Sequence, residues 1–101
     1  MIKVVFRRQG GLISGFTVSG HAGYAECGRD IVCAAVSSAV QLVTCIISDE
    51  MKLKACAKVD CGVVEYDVCD YDKAQAVLKG LEAYLYEVKK DYPKNIDILE
   101  A

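Results

Sequence analysis

Cys33 and His21, the only histidine in the chain, lie twelve residues apart in the segment GHAGYAECGRDIVCAAVSSAV, residues 20–40. The thiolate form of a cysteine attacks carbonyl carbons, and a neighbouring imidazole can take the thiol proton. Cys33 and His21 are therefore candidates for the nucleophile and the general base of an acyl transfer. The alternative from composition and spacing alone is a glycine loop leading into an ordinary helix, with a buried thiol and a solvated histidine.

The position of Cys33 relative to Asp30 favours the chemical interpretation. Asp30 is a good N-cap for a helix predicted from about residue 31 to residue 47, which places Cys33 in the first turn. Backbone N–H groups there lack intrahelical partners, and the helix dipole favours negative charge, so a thiolate is stabilised. The same N–H groups are expected to help hold an oxyanion. The Asp30 carboxylate either caps the helix or orients His21, and Glu26 is a weaker candidate for orienting His21.

Ser37 and three glycines complete the candidate site. Ser37 lies one helical turn after Cys33, where it either forms a hydrogen bond in the site or permits close packing. Gly20, Gly23 and Gly28 are expected to give the loop before the helix freedom to move.

A metal site is an alternative of a different kind. The six cysteines match no zinc-binding spacing, and only one histidine is available to join them. To bind a metal, the chain would have to combine His21 with Cys27 and Cys33. We expect neither a metal nor a cofactor.

The elements that must position these residues follow from hydrophobic periodicity. Alternation in IKVVFRR and LISGFTVSG predicts a first β-hairpin, and LKACAKVDCGVVEYDV predicts a second that turns near residues 60–62. DYDKAQAVLKGLEAYLYEVKK predicts an amphipathic helix capped by Asp70 or Asp72, and NIDIL predicts a short edge strand after Pro93. The order ββα-ββα-β favours one α+β domain over residues 1–101, a two-layer sandwich with two helices on one face of a largely antiparallel sheet.

Composition and charge restrict the class of protein further. Lys and Arg number 12, Asp and Glu number 14, and no long run of one sign occurs, so we expect no direct nucleic-acid binding. The apolar stretch at residues 31–47 is interrupted by polar residues and is shorter than the ~20 residues of a membrane span. We interpret it as a central, well-buried helix.

Compartment and assembly are predicted from the same composition. The opening MIKVVFRRQG has no signal-peptide pattern, which favours a cytoplasmic protein with reduced thiols. Hydrophobic residues make up 53% of this short chain. Such a fraction favours apolar surface beyond one small core, and hence a homo-oligomer.

The segment from Gly20 closely resembles the signature of the bacterial ribosomal-processing cysteine proteases. That signature is a Gly-His pair, a short glycine-containing loop, and Gly-x-Asp-Ile-Val-Cys-Ala-x-Val-Ser. The matching residues are Gly20, His21, Gly28, Asp30, Ile31, Val32, Cys33, Ala34, Val36 and Ser37. The opening hairpin and the chain length fit the same family.

The resemblance implies a homodimeric, cytosolic protease that removes an N-terminal extension from the precursor of a large-subunit ribosomal protein, cutting after phenylalanine. It implies that Cys33 is the nucleophile and His21 the general base, with supporting roles for Asp30 and Ser37. It also implies that the loop after Gly20 moves to admit substrate. A second class stays open beside it, a non-catalytic dimeric module that binds ribosomal precursors.

Overall fold

Five strands and two helices make up this computed structural model, which describes residues 1–26 and 29–101. The strands are β1 (Ile2–Gln9), β2 (Leu12–Ser19), β3 (Ala55–Asp60), β4 (Val63–Val68) and β5 (Ile96–Glu100). The helices are α1 (Ile31–Cys45) and α2 (Gln75–Asp91). α1 continues directly into a π-helical turn, Ile46–Glu50, and a short 3-10 turn, Tyr71–Ala74, precedes α2.

The strands form a single sheet in the order β3-β4-β2-β1-β5. Both hairpins are antiparallel, and β2 joins the two by pairing with β4. β5 pairs parallel with β1, so the end of the chain lies beside its beginning. The sandwich of two helices on a largely antiparallel sheet is the fold that the element order predicts, and β5 is the predicted edge strand.

The hydrophobic core lies between one face of the sheet and the two helices. The alternation of β1 turns Ile2, Val4 and Phe6 inward, and α2, predicted to be amphipathic, buries one apolar stripe: Leu78, Leu81, Leu85 and Val88. The fully buried side chains include Val4, Phe6, Ile13, Phe16, Leu78, Leu85 and Ile96. Each side chain of this kind contributes roughly 1.5–3 kcal/mol by leaving water. This packing sets the position of the helices on the sheet.

α1 is not the well-buried helix that its composition predicts. It buries one stripe, Val32, Val36, Val40 and Val43, while Leu42 on another side is 61% exposed. By length and composition alone, the helical segment Ile31–Glu50 is long and apolar enough to cross a membrane. The valine stripe packs into the core of the sandwich. Because the sheet covers only one side of the helix, the rest of its apolar surface stays open.

The predicted caps of the second helix are wrong. The 3-10 turn separates Asp70 from α2 and includes Asp72, and no side chain caps the first turn of α2. Gln75, the first residue of α2, instead turns its amide to β2. There it accepts from the N–H of Ile13 at 3.0 Å and donates to the Ile13 carbonyl at 2.7 Å. This contact between distant residues ties the start of the helix to the sheet.

Candidate active site

Asp30 organises the first turn of α1. Its Oδ1 accepts from the N–H groups of Val32 and Cys33, both at 3.0 Å. Its backbone carbonyl accepts from the N–H of Ala34 at 3.1 Å. This is an N-cap, and it places Cys33 in the first turn of the helix. Three of the expected oxyanion donors at the helix start are therefore already engaged.

The other carboxylate oxygen of Asp30 holds the loop. Oδ2 accepts from the N–H of Tyr24 at 3.0 Å and from the N–H of Ala25 at 3.3 Å. Hydrogen bonds from backbone N–H groups, that of Cys33 foremost, lower the pKa of Asp30 against the opposing effect of desolvation. Within the described parts of the chain, Asp30 accepts only from backbone, so this structure shows the cap rather than a contact with His21.

The Cys33 sulfur faces the residue that follows His21. The N–H of Ala22 donates to Cys33 Sγ at 3.2 Å. Ala22 is 2% exposed, and its carbonyl accepts from Asn95 Nδ2 at 3.0 Å. Ala22 is thus held between the sulfur and the connection from α2 to β5.

Two clefts meet at His21, Cys33 and Ser37. The larger has a volume of about 610 Å³ and lies on the loop side, where it is also lined by Gly23, Ala25, Asp30 and Ala34. The smaller has a volume of about 350 Å³ and lies toward the β3–β4 hairpin. Its apolar lining includes Val18, Val36, Val59, Val63 and Val64. A peptide that crosses from one cleft to the other passes the Cys33 sulfur.

His21 and Ser37 stand on either side of Cys33 in the chain and share both clefts with it. Both side chains are exposed, whereas Cys33 is half-buried. In the described part of the chain, the imidazole forms no hydrogen bond with Sγ of Cys33 or with the Asp30 carboxylate. The proposed catalytic roles of these residues stay predictions at this point.

Gly20, where the loop begins, has a steric reason to be glycine. Its φ is +85°, and a Cβ there would lie 2.6 Å from the carbonyl oxygen of Met1. Side chains other than glycine rarely adopt that φ, and none fits that space. The N–H of Gly20 donates to the carbonyl of Gly62 at 3.1 Å, which ties the loop to the β3–β4 turn.

The rest of the loop is described only in part. Gly23 has φ +69°, a conformation that favours glycine. Gly28 and Cys27 lie outside the described residues, and movement of the loop stays a prediction. No cluster of three metal-ligating side chains occurs within residues 1–26 and 29–101.

Sequence reasoning missed Ala22, Asn95 and the hairpin valines. Asn95 reaches the loop because its carbonyl accepts from the N–H of Ile2, next to the parallel pairing of β5 with β1. Near it, the rings of Tyr24 and Tyr92 meet edge to face at 5.3 Å. No local pattern signals these contacts, since an asparagine after Pro93 and Lys94 is an ordinary turn residue.

A thiol at a helix start, beside a histidine in an open cleft, has the chemistry of peptide-bond hydrolysis through an acyl-enzyme. The class that this fold and site define is the cysteine proteases. The chain belongs to the family of the cysteine protease Prp, whose family model matches residues 1–97.

Solved structures agree with this family and with the predicted fold. The essential ribosomal processing protease Prp from S. aureus, with a covalently linked product peptide, is 25% identical over 100% of both chains with a TM-score of 0.94. Its complex with a substrate peptide has 24% identity, 100% coverage of both chains and a TM-score of 0.87. SMU.848 from Streptococcus mutans has 23% identity over 99% of this chain and 93% of that chain, with a TM-score of 0.83. No curated protein matches this sequence.

Proposed function

We propose that this cysteine protease removes the N-terminal extension of a large-subunit ribosomal protein precursor, with Cys33 as nucleophile and His21 as general base. The observation that carries the proposal is the meeting of both residues in two clefts at the start of α1. The similar S. aureus enzyme is a ribosomal processing protease with a covalently linked product peptide, which supports the substrate class. Membership in a protease family weighs against a non-catalytic binding module.

The reaction follows from these groups. His21 takes the thiol proton, and Sγ of Cys33 forms a bond to the scissile carbonyl carbon while the π electrons move to the oxygen. The intermediate collapses, the C–N bond breaks, and His21 gives its proton to the leaving amine. Water, deprotonated by His21, then attacks the acyl-enzyme and releases the acid and the free thiol.

Asp30 and Ser37 have supporting roles in this proposal. Asp30 is a positioning residue, because its two oxygens join the helix start that carries Cys33 to the loop that follows His21. Ser37 lines both clefts one turn after Cys33 and offers a hydroxyl to bound substrate.

The smaller cleft supports cleavage after an apolar aromatic residue. Valines from the sheet and the hairpin line it beside the sulfur, among them Val18, Val59 and Val64. Val18 pairs with Val64, and Val64 pairs with Val59, so the three side chains form one row across the sheet. Such a row buries an apolar ring without leaving a polar group unpaired.

A homodimer in the cytoplasm completes the proposal. Between α1 and α2 lies an apolar groove, here called the helix groove, formed by Ala35, Ser38, Ala39, Leu42, Val43, Ile46, Ala76, Val77, Gly80, Leu81 and Tyr84. A second copy of the chain is the proposed occupant, since an open apolar surface of this kind marks an association site. Five described cysteines are free thiols, which agrees with a reducing compartment.

The test is cleavage of a peptide that carries the precursor's processing site. Cys33→Ala is expected to reduce turnover to background because the acyl-enzyme cannot form. His21→Ala is expected to lose roughly 10²–10⁴ in rate. The double variant should be about as inactive as the worse single variant, since the two residues act as a unit.

Cys45→Ala, at the far end of the same helix, is the matched control and should keep wild-type turnover. Circular dichroism would establish that each variant is folded. Wild-type turnover by a folded Cys33→Ala variant would contradict the proposed nucleophile.

A further inference from the structure

An oxyanion on the tetrahedral intermediate needs N–H donors close to Cys33, and three N–H groups in the first turn of α1 are already engaged. The N–H groups of Val32 and Cys33 donate to Asp30 Oδ1, and that of Ala34 donates to the Asp30 carbonyl. Redirecting them would break the cap. A donor from another part of the site would leave the cap intact.

The N–H of Ala22 lies where such a donor is needed. It points at Cys33 Sγ over 3.2 Å. Once Sγ bonds to the carbonyl carbon, the oxyanion is attached to that same carbon, so a donor aimed at the sulfur lies near the oxygen as well. Ala22 is only 2% exposed, and water competes little for a buried N–H.

We propose that the N–H of Ala22 donates to the oxyanion during catalysis, and that Asn95 is the positioning residue that holds Ala22 for this purpose. The inference rests on the proposed role of Cys33 as nucleophile. Preorganised donors of this kind stabilise charge that develops in the transition state without reorganising when it appears.

Asn95 is well placed for this role because its own backbone is anchored. Its N–H donates to the carbonyl of Tyr92 at 3.0 Å, and its carbonyl accepts from the N–H of Ile2 at 2.9 Å. Its side-chain Nδ2 then donates to the Ala22 carbonyl at 3.0 Å. The edge-to-face contact of Tyr92 with Tyr24 holds the loop at a second point. The sheet thus fixes Ala22 within a glycine-containing loop.

The backbone donor can be removed without changing a side chain. Cys27 permits ligation of a synthetic segment of residues 1–26 to residues 27–101. Lactic acid in place of Ala22 puts an ester oxygen where the N–H was. We expect kcat for the precursor peptide to fall roughly 10²–10³-fold, the loss typical of one oxyanion donor. Glycolic acid in place of Gly11, in the β1–β2 turn and outside both clefts, is the control for the backbone substitution and should have a much smaller effect.

Alkylation by iodoacetamide separates the oxyanion from the thiolate. That displacement forms no oxyanion, so the Ala22 ester should slow alkylation of Cys33 far less than it slows peptide turnover. Equal losses in both reactions would overturn the oxyanion role and leave Ala22 only a partner of the sulfur. Unchanged turnover by the Ala22 ester, with Cys33→Ala inactive, would overturn this inference and leave the nucleophile in place. An active, folded Cys33→Ala would instead overturn the proposed function.

Asn95 is tested with Asn95→Asp, which keeps the shape but removes the donor to the Ala22 carbonyl. We expect kcat to fall about tenfold or more while KM changes little, and little further loss when the Ala22 ester is also present. Asp97→Asn, which weakens the ion pair between Lys89 of α2 and Asp97 of β5, is the matched control two residues further on and should keep wild-type kcat. Equal kcat values for the two folded variants, or additive losses with the ester, would overturn the positioning role. The comparison of kcat between Asn95→Asp and Asp97→Asn tests the positioning role even if the ester protein fails to fold.

Discussion

The two ends of α1 present opposite kinds of surface. At the N-terminal end, Asp30 accepts from the N–H groups of the first turn and of the loop, so polar contacts dominate. Toward the C-terminal end, Leu42 and Ile46 line the apolar helix groove. One buried valine stripe supports both ends. The candidate active site and the proposed dimer interface therefore lie at different ends of one helix, and a substitution can change one without the other.

The same residue type occurs at both ends and shows what the surroundings contribute. Cys33 is half-buried in the first turn and accepts from the N–H of Ala22. Cys45 is exposed and is the last residue of the α-helix. The helix dipole favours negative charge at the first position and gives no such support at the second, which the π-helical turn continues.

The largest effect is expected from a charge at the apolar end. Leu42→Glu should convert a dimer of about twice the 11.0 kDa chain mass into a monomer in light scattering. Loss of roughly 1.5–3 kcal/mol of apolar burial from each protomer raises the dissociation constant at least ~100-fold. Leu99→Glu, at an exposed leucine of β5, is the control and should leave the mass unchanged. A wild-type protein that is monomeric on dilution, or a dimeric Leu42→Glu variant, would refute the helix groove as the interface.

The second effect compares the two cysteines in one molecule. Iodoacetamide at neutral pH should label Cys33 about 2- to 5-fold faster than Cys45, because the first turn of a helix favours a negative charge by roughly 0.3–1 kcal/mol. Exposure alone predicts the reverse order, since Cys45 is the more exposed. Mass mapping of peptides after short labelling measures both rates. Faster labelling of Cys45 would mean that accessibility outweighs the helix start.

A third effect divides the two functions of Asp30. Asp30→Asn keeps an acceptor for the cap, but its amide nitrogen cannot accept from Tyr24 and Ala25. We expect folding stability within a few tenths of a kcal/mol of wild type, and a loss in kcat/KM of up to about 10²-fold through displacement of the loop. Asp30→Ala should also lose roughly 0.5–2 kcal/mol of stability. Chemical denaturation and peptide turnover measure the two quantities, and normal turnover by Asp30→Asn would reduce Asp30 to a cap.

The smallest expected effect is the dependence of folding stability on pH through Asp30. The N–H groups of Cys33 and the other donors lower the pKa of Asp30 in the folded state, so its charge stabilises the fold above the unfolded-state pKa of about 3.9. That stabilisation is lost as the pH falls through the lower pKa of the folded state. The stability difference between wild type and Asp30→Asn should therefore shrink below about pH 4. A stability difference that stays constant below pH 4 would contradict the lowered pKa of Asp30.

Much of the local structure could be predicted because its causes are local. Alternation located both hairpins, and the N-cap residue located the start of α1, because these features depend on neighbours within a few residues. The caps of α2 failed for the opposite reason. Gln75 starts that helix through contacts with Ile13, which lies in another element and far away in the chain.

The sequence by itself determined the order of elements, the inward faces of β1 and α2, and the presence of a thiol in the first turn of a helix. Periodicity and capping decide these without any distant partner. Only the tertiary structure decided that Ala22 lies between Cys33 and Asn95, because β5 must pair with β1 before Asn95 reaches the loop. It alone decided that the apolar surface of α1 is covered on one side, since the composition of a helix does not specify how many faces its own chain can cover.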